Sequence, residues 1–211
     1  MKIFVSGIDT DAGKSYATGF LARKLIEEGK NVITMKFIQT GNKDYSEDID
    51  IHRHVMDIDM QPVDIDHTTA PVIFSYPCSP QLAARIDGRE IDLTLIDNCA
   101  DKLDNQYDIT LIEGAGGLMV PLTDTFWTID YPATRGIPTA LVTNGRLGSI
   151  SHTLLALEAL RMKQIPIAYL LYNTHFDTDS TIVADTRAFL RRYLDRTSPD
   201  TRWIDIPTLP V

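Results

Sequence analysis

Gly7-Ile8-Asp9-Thr10-Asp11-Ala12-Gly13-Lys14-Ser15 follows a short apolar run, Lys2-Ile3-Phe4-Val5, and leads into a stretch with helical periodicity. Strand, glycine-bearing loop and helix in that order predict a phosphate-binding unit. The first backbone N–H groups of a helix lack intrahelical acceptors and carry partial positive charge, so phosphate oxygens bind there. Gly13 permits close backbone approach, Lys14 can reach β- and γ-phosphates, and the Ser15 hydroxyl can ligate Mg²⁺. The general motif GxxxxGK[ST] is not met to the letter, because five residues rather than four separate Gly7 from Gly13. A chance Gly-Lys-Ser at a helix start is the competing reading. The placement of strand, loop and helix weighs against it.

Outward from this unit the alternation continues. Phe20, Leu21, Leu25 and Ile26 give the first helix an apolar stripe that ends near Glu28-Gly29. Asn31–Met35, Ile109–Ile112, Thr139–Thr143 and Ile167–Tyr172 read as further strands, with helices expected over Ser149–Met162 and Thr181–Tyr193. Short β-branched runs alternating with helices imply βαβ units. The expected fold is α/β of the P-loop NTPase type, a mostly parallel central sheet with helices on both faces. Ligands of such sheets bind beyond the carboxyl ends of the strands. Residues 42–106 are less regular: helices are expected at about Asp48–Met56 and over Glu90–Leu103, where Ile91, Leu95, Ile96, Cys99 and Leu103 fall near one face. Pro71–Pro80 is too proline-punctuated for a central strand. No repeat or linker interrupts the chain, and residues 1–211 are expected to form one domain.

The strand ends hold the chemistry. Lys36, just past the second strand, is alone a solvated lysine; if the first two strands are neighbours it becomes a second cation beside the phosphate loop. Glu113 closes the apolar run 109–112 and opens Gly114-Ala115-Gly116-Gly117. A carboxylate there stands where P-loop enzymes hold Mg²⁺, and small residues behind it admit a ligand closely. Asp48 and Asp50 read either as a solvated helix start capped by Ser46 or as a source of one hard oxygen ligand. His52 and His54, two apart, do not share a helix face, and no zinc-type spacing occurs. A G-x-S-x-G elbow is absent. Cys78 and Cys99 form no CxxC pair and are expected to be buried free thiols.

With 29 acidic against 20 basic residues the net charge is -9, which disfavours nucleic-acid or anionic-membrane partners. An acidic chain that binds ATP must supply its cations locally, through a few lysines and Mg²⁺. No stretch reaches eighteen apolar residues, and the N-terminus runs straight into a strand without an export signal, so a cytoplasmic location is expected.

Taken in order, these motifs resemble the dethiobiotin synthetase family. Gly7 to Ser15 fits its Gly-x-Asp-Thr-x-x-Gly-Lys-Thr/Ser loop, with Asp11 where Glu is common. Lys36 to Gly41 is similar to Lys-Pro-x-x-Ser/Thr-Gly, with Phe37 in the proline position. Glu113–Gly117 is intact Glu-Gly-Ala-Gly-Gly, Leu147–His152 is similar to Leu-Gly-x-Ile-x-His, and Asn173 ends a strand as the family's nucleobase asparagine does. The resemblance implies that 7,8-diaminopelargonate (7,8-diaminononanoate), CO₂ or bicarbonate, and ATP give dethiobiotin, ADP and phosphate. One amine captures CO₂ as a carbamate, a carbamate oxygen takes the γ-phosphoryl group, and the second amine closes the ureido ring.

The resemblance also implies roles. Lys14 and Lys36 would be catalytic. Asp11, Ala12, Gly13, Lys14, Ser15, Tyr16, Glu113, Gly114, Ala115, Gly116 and Asn173 would bind ATP. Ser15, Asp48 and Glu113 would hold Mg²⁺, Asp48 being preferred to Asp50 by the apolar spacing that follows it. Thr10, Lys36, Thr40, Ser79, Pro80 and Gly116 would contact the diamine or carbamate. Leu147 and Ser151, at a helix start, would bind the substrate carboxylate across a homodimer interface. Ile206-Pro207 resembles the last base-contacting loop, and with Thr208-Leu209-Pro210-Val211 as the end, a further nucleobase carboxylate is expected to be missing. The rival is a ParA/MinD-like regulatory P-loop ATPase. Those carry a lysine near the loop start, where this chain has Gly7-Ile8.

Overall fold

In the computed structural model, which describes residues 1–208, the phosphate-loop unit forms as predicted: β1 (Lys2–Gly7), the loop, then α1 (Lys14–Glu27). There follow β2 (Val32–Lys36), β3 (Gln39–Thr40), α2 (Glu47–Met56), α3 (Pro62–Ile65), β4 (Ile73–Phe74), α4 (Pro80–Ile86) and α5 (Leu93–Asp104). The second half comprises β5 (Ile109–Gly117), α6 (Asp130–Arg135), β6 (Thr139–Asn144), α7 (Ser149–Met162), β7 (Ile167–Asn173), a 3₁₀ turn (Thr174–Phe176), α8 (Ser180–Thr197) and β8 (Arg202–Ile206). The end at Leu209–Val211, on which the expectation of a missing base carboxylate rests, lies outside the described residues.

The central sheet has six strands in the order β2-β5-β1-β6-β7-β8, all parallel. The inner strand β6 is buried along its whole length, and β1, β5 and β7 are buried but for one or two terminal residues, the pattern of a sheet covered on both faces. Successive side chains of β1 supply opposite cores. Phe4 packs with Ile33, Met35, Ile112 and Leu103, while Ile3 and Val5 pack with Leu21, Leu111, Val142 and Leu171. Each such Leu, Ile or Phe, fully buried, contributes about 1.5–3 kcal/mol. Among the described residues no helix is long and apolar enough to cross a membrane.

Several expectations are corrected. β1 and β2 are not neighbours; β5 lies between them and pairs with both. Lys36 is the last residue of β2, not a residue beyond it, and stands in register opposite Glu113. Glu113–Gly117, read as the start of a loop, continues β5, with Gly7 opposite Gly117. Gly114 is small for packing and not for a ligand, since a Cβ there would stand 2.9 Å from Cζ of Phe4. The helix expected from Glu90 begins at Leu93, because the Asp92 side chain accepts the Leu95 N–H as a cap; Leu95 is exposed, and Ile96, Ala100 and Leu103 form the buried stripe. α8 extends beyond 181–193 at both ends, with Asp179 capping its start. Pro71–Pro80 contributes only β4, which pairs with β3 in a separate two-stranded sheet, and Pro80 opens α4, which was not foreseen. Nor were α3, α6 and β8. Cys78 and Cys99 are free but half-buried rather than buried.

Candidate active site

Gly13 caps α1 in the left-handed region, at φ 87°. Only glycine adopts that conformation without strain. Behind it, Asn173 at the end of β7 donates from Nδ2 to the Ala12 carbonyl at 3.0 Å, and a Cβ on Gly13 would collide with that amide. The loop is thus tied to the far half of the sheet. Gly13→Ala combines the conformational strain with the collision, and is expected to weaken ATP binding at least about tenfold by calorimetric titration. Unchanged affinity would show that the loop backbone does not cradle the nucleotide.

Lys14 is buried and folds back along the loop, donating from Nζ to the carbonyls of Asp9 at 3.0 Å and Thr10 at 2.9 Å. Burial pushes the pKa of its ammonium down, offset only in part by the charge of Glu113.

At the carboxyl end of β5 a second set of charges converges. Glu113, only 1% exposed, receives Lys36 Nζ on Oε1 at 2.8 Å, and Lys36 also meets Asp48 Oδ2 at 2.5 Å. The Ser15 hydroxyl donates to Asp48 Oδ1 at 2.5 Å and lies 3.1 Å from Glu113 Oε1. Burial would push the carboxyl of Glu113 up, but Lys36 and His52 outweigh it and hold the group far below the usual carboxylate range. Burial would likewise lower Lys36, and the carboxylates of Glu113 and Asp48 outweigh that too, holding its pKa above the ordinary value. Both groups are therefore charged at neutral pH.

Asp48 owes its place to the start of α2. Ser46 accepts the Ile49 N–H on its side chain and donates its own hydroxyl to Gln39 Oε1 at 2.6 Å, pinning the helix start to β3. Of the two aspartates considered, the structure brings Asp48 to Ser15 and Lys36, whereas Asp50 is exposed and does not line the cavity.

These groups open into a cavity of about 600 Å³. Of the residues singled out in the sequence, Thr10, Asp11, Gly13, Lys14, Ser15, Tyr16, Lys36, Thr40, Asp48, Glu113, Ala115, Gly116 and Asn173 all line it. Ala12 and Gly114 are buried and do not line it. Ser79, Pro80, Leu147 and Ser151 are not brought to it within this chain; Leu147 is 86% exposed beside the first turn of α7. The sequence reading missed Gln39, Arg146, His175 and Phe176, which also line the cavity. The Arg146 guanidinium lies 3.7 Å over the Phe176 ring. It missed His52 as well, having weighed it only against His54. The pairing that matters is Asp48 with His52, four apart and so on one face of α2, a signal available in the spacing.

Residues 1–198 match a family model described as an AAA domain. The ATP-dependent dethiobiotin synthetase BioD 2 of Pasteurella multocida is 46% identical over 198 residues, covering 94% of this chain and 93% of that protein. The ATP-dependent dethiobiotin synthetase BioD of Chlorobaculum tepidum is 48% identical over 193 residues, covering 90% of this chain and 81% of that one. Among solved structures, a plasmid partition protein of Borrelia burgdorferi bound to AMPPNP aligns with a TM-score of 0.57 at 14% identity, covering 100% of this chain and 86% of that one. The pNOB8 ParA bound to nonspecific DNA aligns at 0.57 and 15% identity, covering 99% and 85%. Likeness at that identity shows a shared P-loop NTPase fold and nothing finer. The relatives at 46–48% identity, spanning nearly the whole chain, go further: the chain belongs to the ATP-dependent dethiobiotin synthetase family.

Proposed function

We propose that the chain carboxylates 7,8-diaminopelargonate with CO₂ and closes its ureido ring at the expense of ATP, giving dethiobiotin, ADP and phosphate. The observation that carries this reading is the convergence of Lys14, Lys36, Asp48, Glu113 and Ser15 on one cavity at the mouth of a phosphate loop. The chemistry needs no covalent enzyme intermediate. Positioning and charge stabilisation suffice, and that is what these groups offer.

Loop N–H groups of Asp11, Ala12 and Gly13 embrace the phosphates, and Lys14, bonded only to carbonyl oxygens, exchanges them for phosphate oxygens. Lys36, kept charged by its two carboxylates, stabilises the negative charge shared by the carbamate oxygen and the transferring phosphoryl group. Two carboxylates and one hydroxyl are hard oxygen donors of the kind Mg²⁺ takes when phosphate and water complete its shell. The donor set therefore fits, and Ser15, Asp48 and Glu113 would hold Mg²⁺, which supplies further neutralisation of phosphate charge when bound.

Asn173 reads the base between His175, Phe176, Ile206 and Pro207, while Thr10, Thr40 and Gly116 face the diamine. A homodimer completes the site. Leu147 and Ser151 do not line this chain's cavity and are exposed, open to a second copy, where the start of α7 would take the substrate carboxylate, with Ser79 and Pro80 on the substrate side. The cytoplasm is the proposed location, and no nucleic-acid or membrane partner is proposed for a chain of net charge -9. The ParA/MinD-like alternative has only the shared fold in its favour. Phosphate release from ATP is expected to require Mg²⁺, bicarbonate and the diamine together. Hydrolysis that ignores the diamine and responds to DNA would support the alternative.

A further inference from the structure

His52 lies within α2 with no solvent exposure. Its Nε2 is 2.5 Å from Oε2 of Glu113, and its Nδ1 has no hydrogen-bond partner. A buried, unpaired ring nitrogen is unfavourable, so packing alone does not account for a histidine at this place in α2. What the imidazole adds is a single bond to a single carboxylate oxygen.

The consequence lies on the other oxygen. The terminal torsion of a glutamate is broad and roughly two-fold, so the plane of a lone carboxylate turns freely about the Cγ–Cδ bond. A donor held on Oε2 sets that plane and with it the direction of Oε1, the oxygen that meets Lys36 and Ser15. Because Glu113 is an ionised acceptor, Nε2 carries the proton of the bond. The donor itself is placed by the helix. His52 and Asp48 are four residues apart, so one face of α2 aims Asp48 at Ser15 and Lys36 and His52 at Glu113. The helix is seated tightly against α1, where a Cβ on Gly19 would stand 2.8 Å from Cβ of Val55 and 3.2 Å from the His52 carbonyl.

We infer that His52 is a positioning residue: it orients Glu113 so that Oε1 faces the Ser15 hydroxyl, and so sets the affinity of the site for the divalent cation that accompanies the nucleotide. This rests on the reading of Ser15, Asp48 and Glu113 as cation ligands. Groups that orient a metal ligand from behind govern affinity or activity by about 10–100-fold.

The test compares His52→Gln with His52→Met, side chains of nearly equal length of which only the amide donates. Mn²⁺ serves as the probe, its binding read by electron paramagnetic resonance with ADP present and no turnover. The Met variant is expected to bind Mn²⁺ at least about tenfold more weakly, with Gln within about threefold of wild type. In the steady state, kcat should fall in the Met variant with little change in KM for the diamine. Wild-type affinity in both variants overturns the inference, as does an equal loss in both, which would assign His52 to shape alone. Should the Met variant fail to fold, His52→Asn, whose shorter amide stops short of Oε2, takes its place, and wild-type affinity there overturns the inference equally. Dethiobiotin formation by the wild-type chain is a separate control: its failure would remove the proposed activity, while the Mn²⁺ contrast is read without it.

Discussion

Lys36→Met is expected to lower kcat about 10²–10³-fold, the usual cost of removing one preorganised charge donor from a developing anion. The substitution keeps the apolar stem and removes only the ammonium. Lys36 is buried, held at the end of β2 opposite Glu113, and anchored by Glu113, Asp48 and the Gly114 carbonyl at 3.3 Å. A charge so fixed needs little reorganisation when the phosphoryl group moves. The loss should fall on kcat rather than on KM for ATP, because the charge it meets develops in the transition state. Lys36→Arg should not restore the rate, since a planar fork does not reproduce a compact ammonium between two carboxylates. Removing the cation also leaves Asp48 and Glu113 facing each other, a broken buried pair that costs about 3–5 kcal/mol of stability. Steady-state phosphate release with saturating diamine, on protein shown to be folded by circular dichroism, decides the matter. A kcat near that of wild type would remove Lys36 from the mechanism.

Arg53→Met is expected to destabilise the fold by about 3–5 kcal/mol, the loss seen when one member of a buried ion pair is removed. At about 2–4 °C per kcal/mol for a chain of this size, the Tm shift is easily read by calorimetry. Arg53 grips Asp64 with two bonds, Nε to Oδ2 at 2.8 Å and an Nη2 contact to Oδ1 at 2.7 Å, and donates from Nη1 to Thr34 Oγ1 at 2.7 Å. The clamp joins α2, α3 and β2 behind the face of α2 that carries Asp48. Burial would push the Asp64 carboxyl up, but Arg53, Thr69 and the Gln61 N–H outweigh it and hold the pKa below its ordinary value of 3.8. A depressed folded-state pKa contributes stability that is fully present above the unfolded value and is lost as pH falls through the folded one. The gap between wild type and Arg53→Met should therefore be constant near neutrality and shrink below about pH 4. A gap that widened in acid would contradict this assignment.

The phosphate loop and its helix were legible because their signals are local: a strand, a turn and a helix within a few tens of residues. Asn173 carries no such local signal, and only the family resemblance singled it out. Strand order was not legible. Nothing near residue 36 says that the strand beside β2 comes from residues 109–117, and the assumption that successive strands adjoin put Lys36 in the right site by the wrong route. The run Glu113–Gly117 misled for a different reason. Its glycines resemble a loop, yet Gly114 answers to the ring of Phe4, over a hundred positions away in the sequence, and a packing demand of that kind leaves no periodic trace. The same holds for His52, whose partner is 61 positions distant, and for the Arg53–Asp64 clamp, which looks like surface charge until the helices are in place. Spacing along α2 could have raised suspicion; only the fold supplies Glu113 as the partner.

The ring-closing reaction itself can be followed in solution. The most direct measurement incubates the chain with 7,8-diaminopelargonate, isotopically labelled bicarbonate, Mg²⁺ and ATP, and follows the product by mass spectrometry. Dethiobiotin carrying the label in its ureido carbonyl is expected, formed together with ADP and phosphate in equal amounts. ATP consumed with no labelled dethiobiotin, or at a rate indifferent to the diamine, would contradict the proposed reaction.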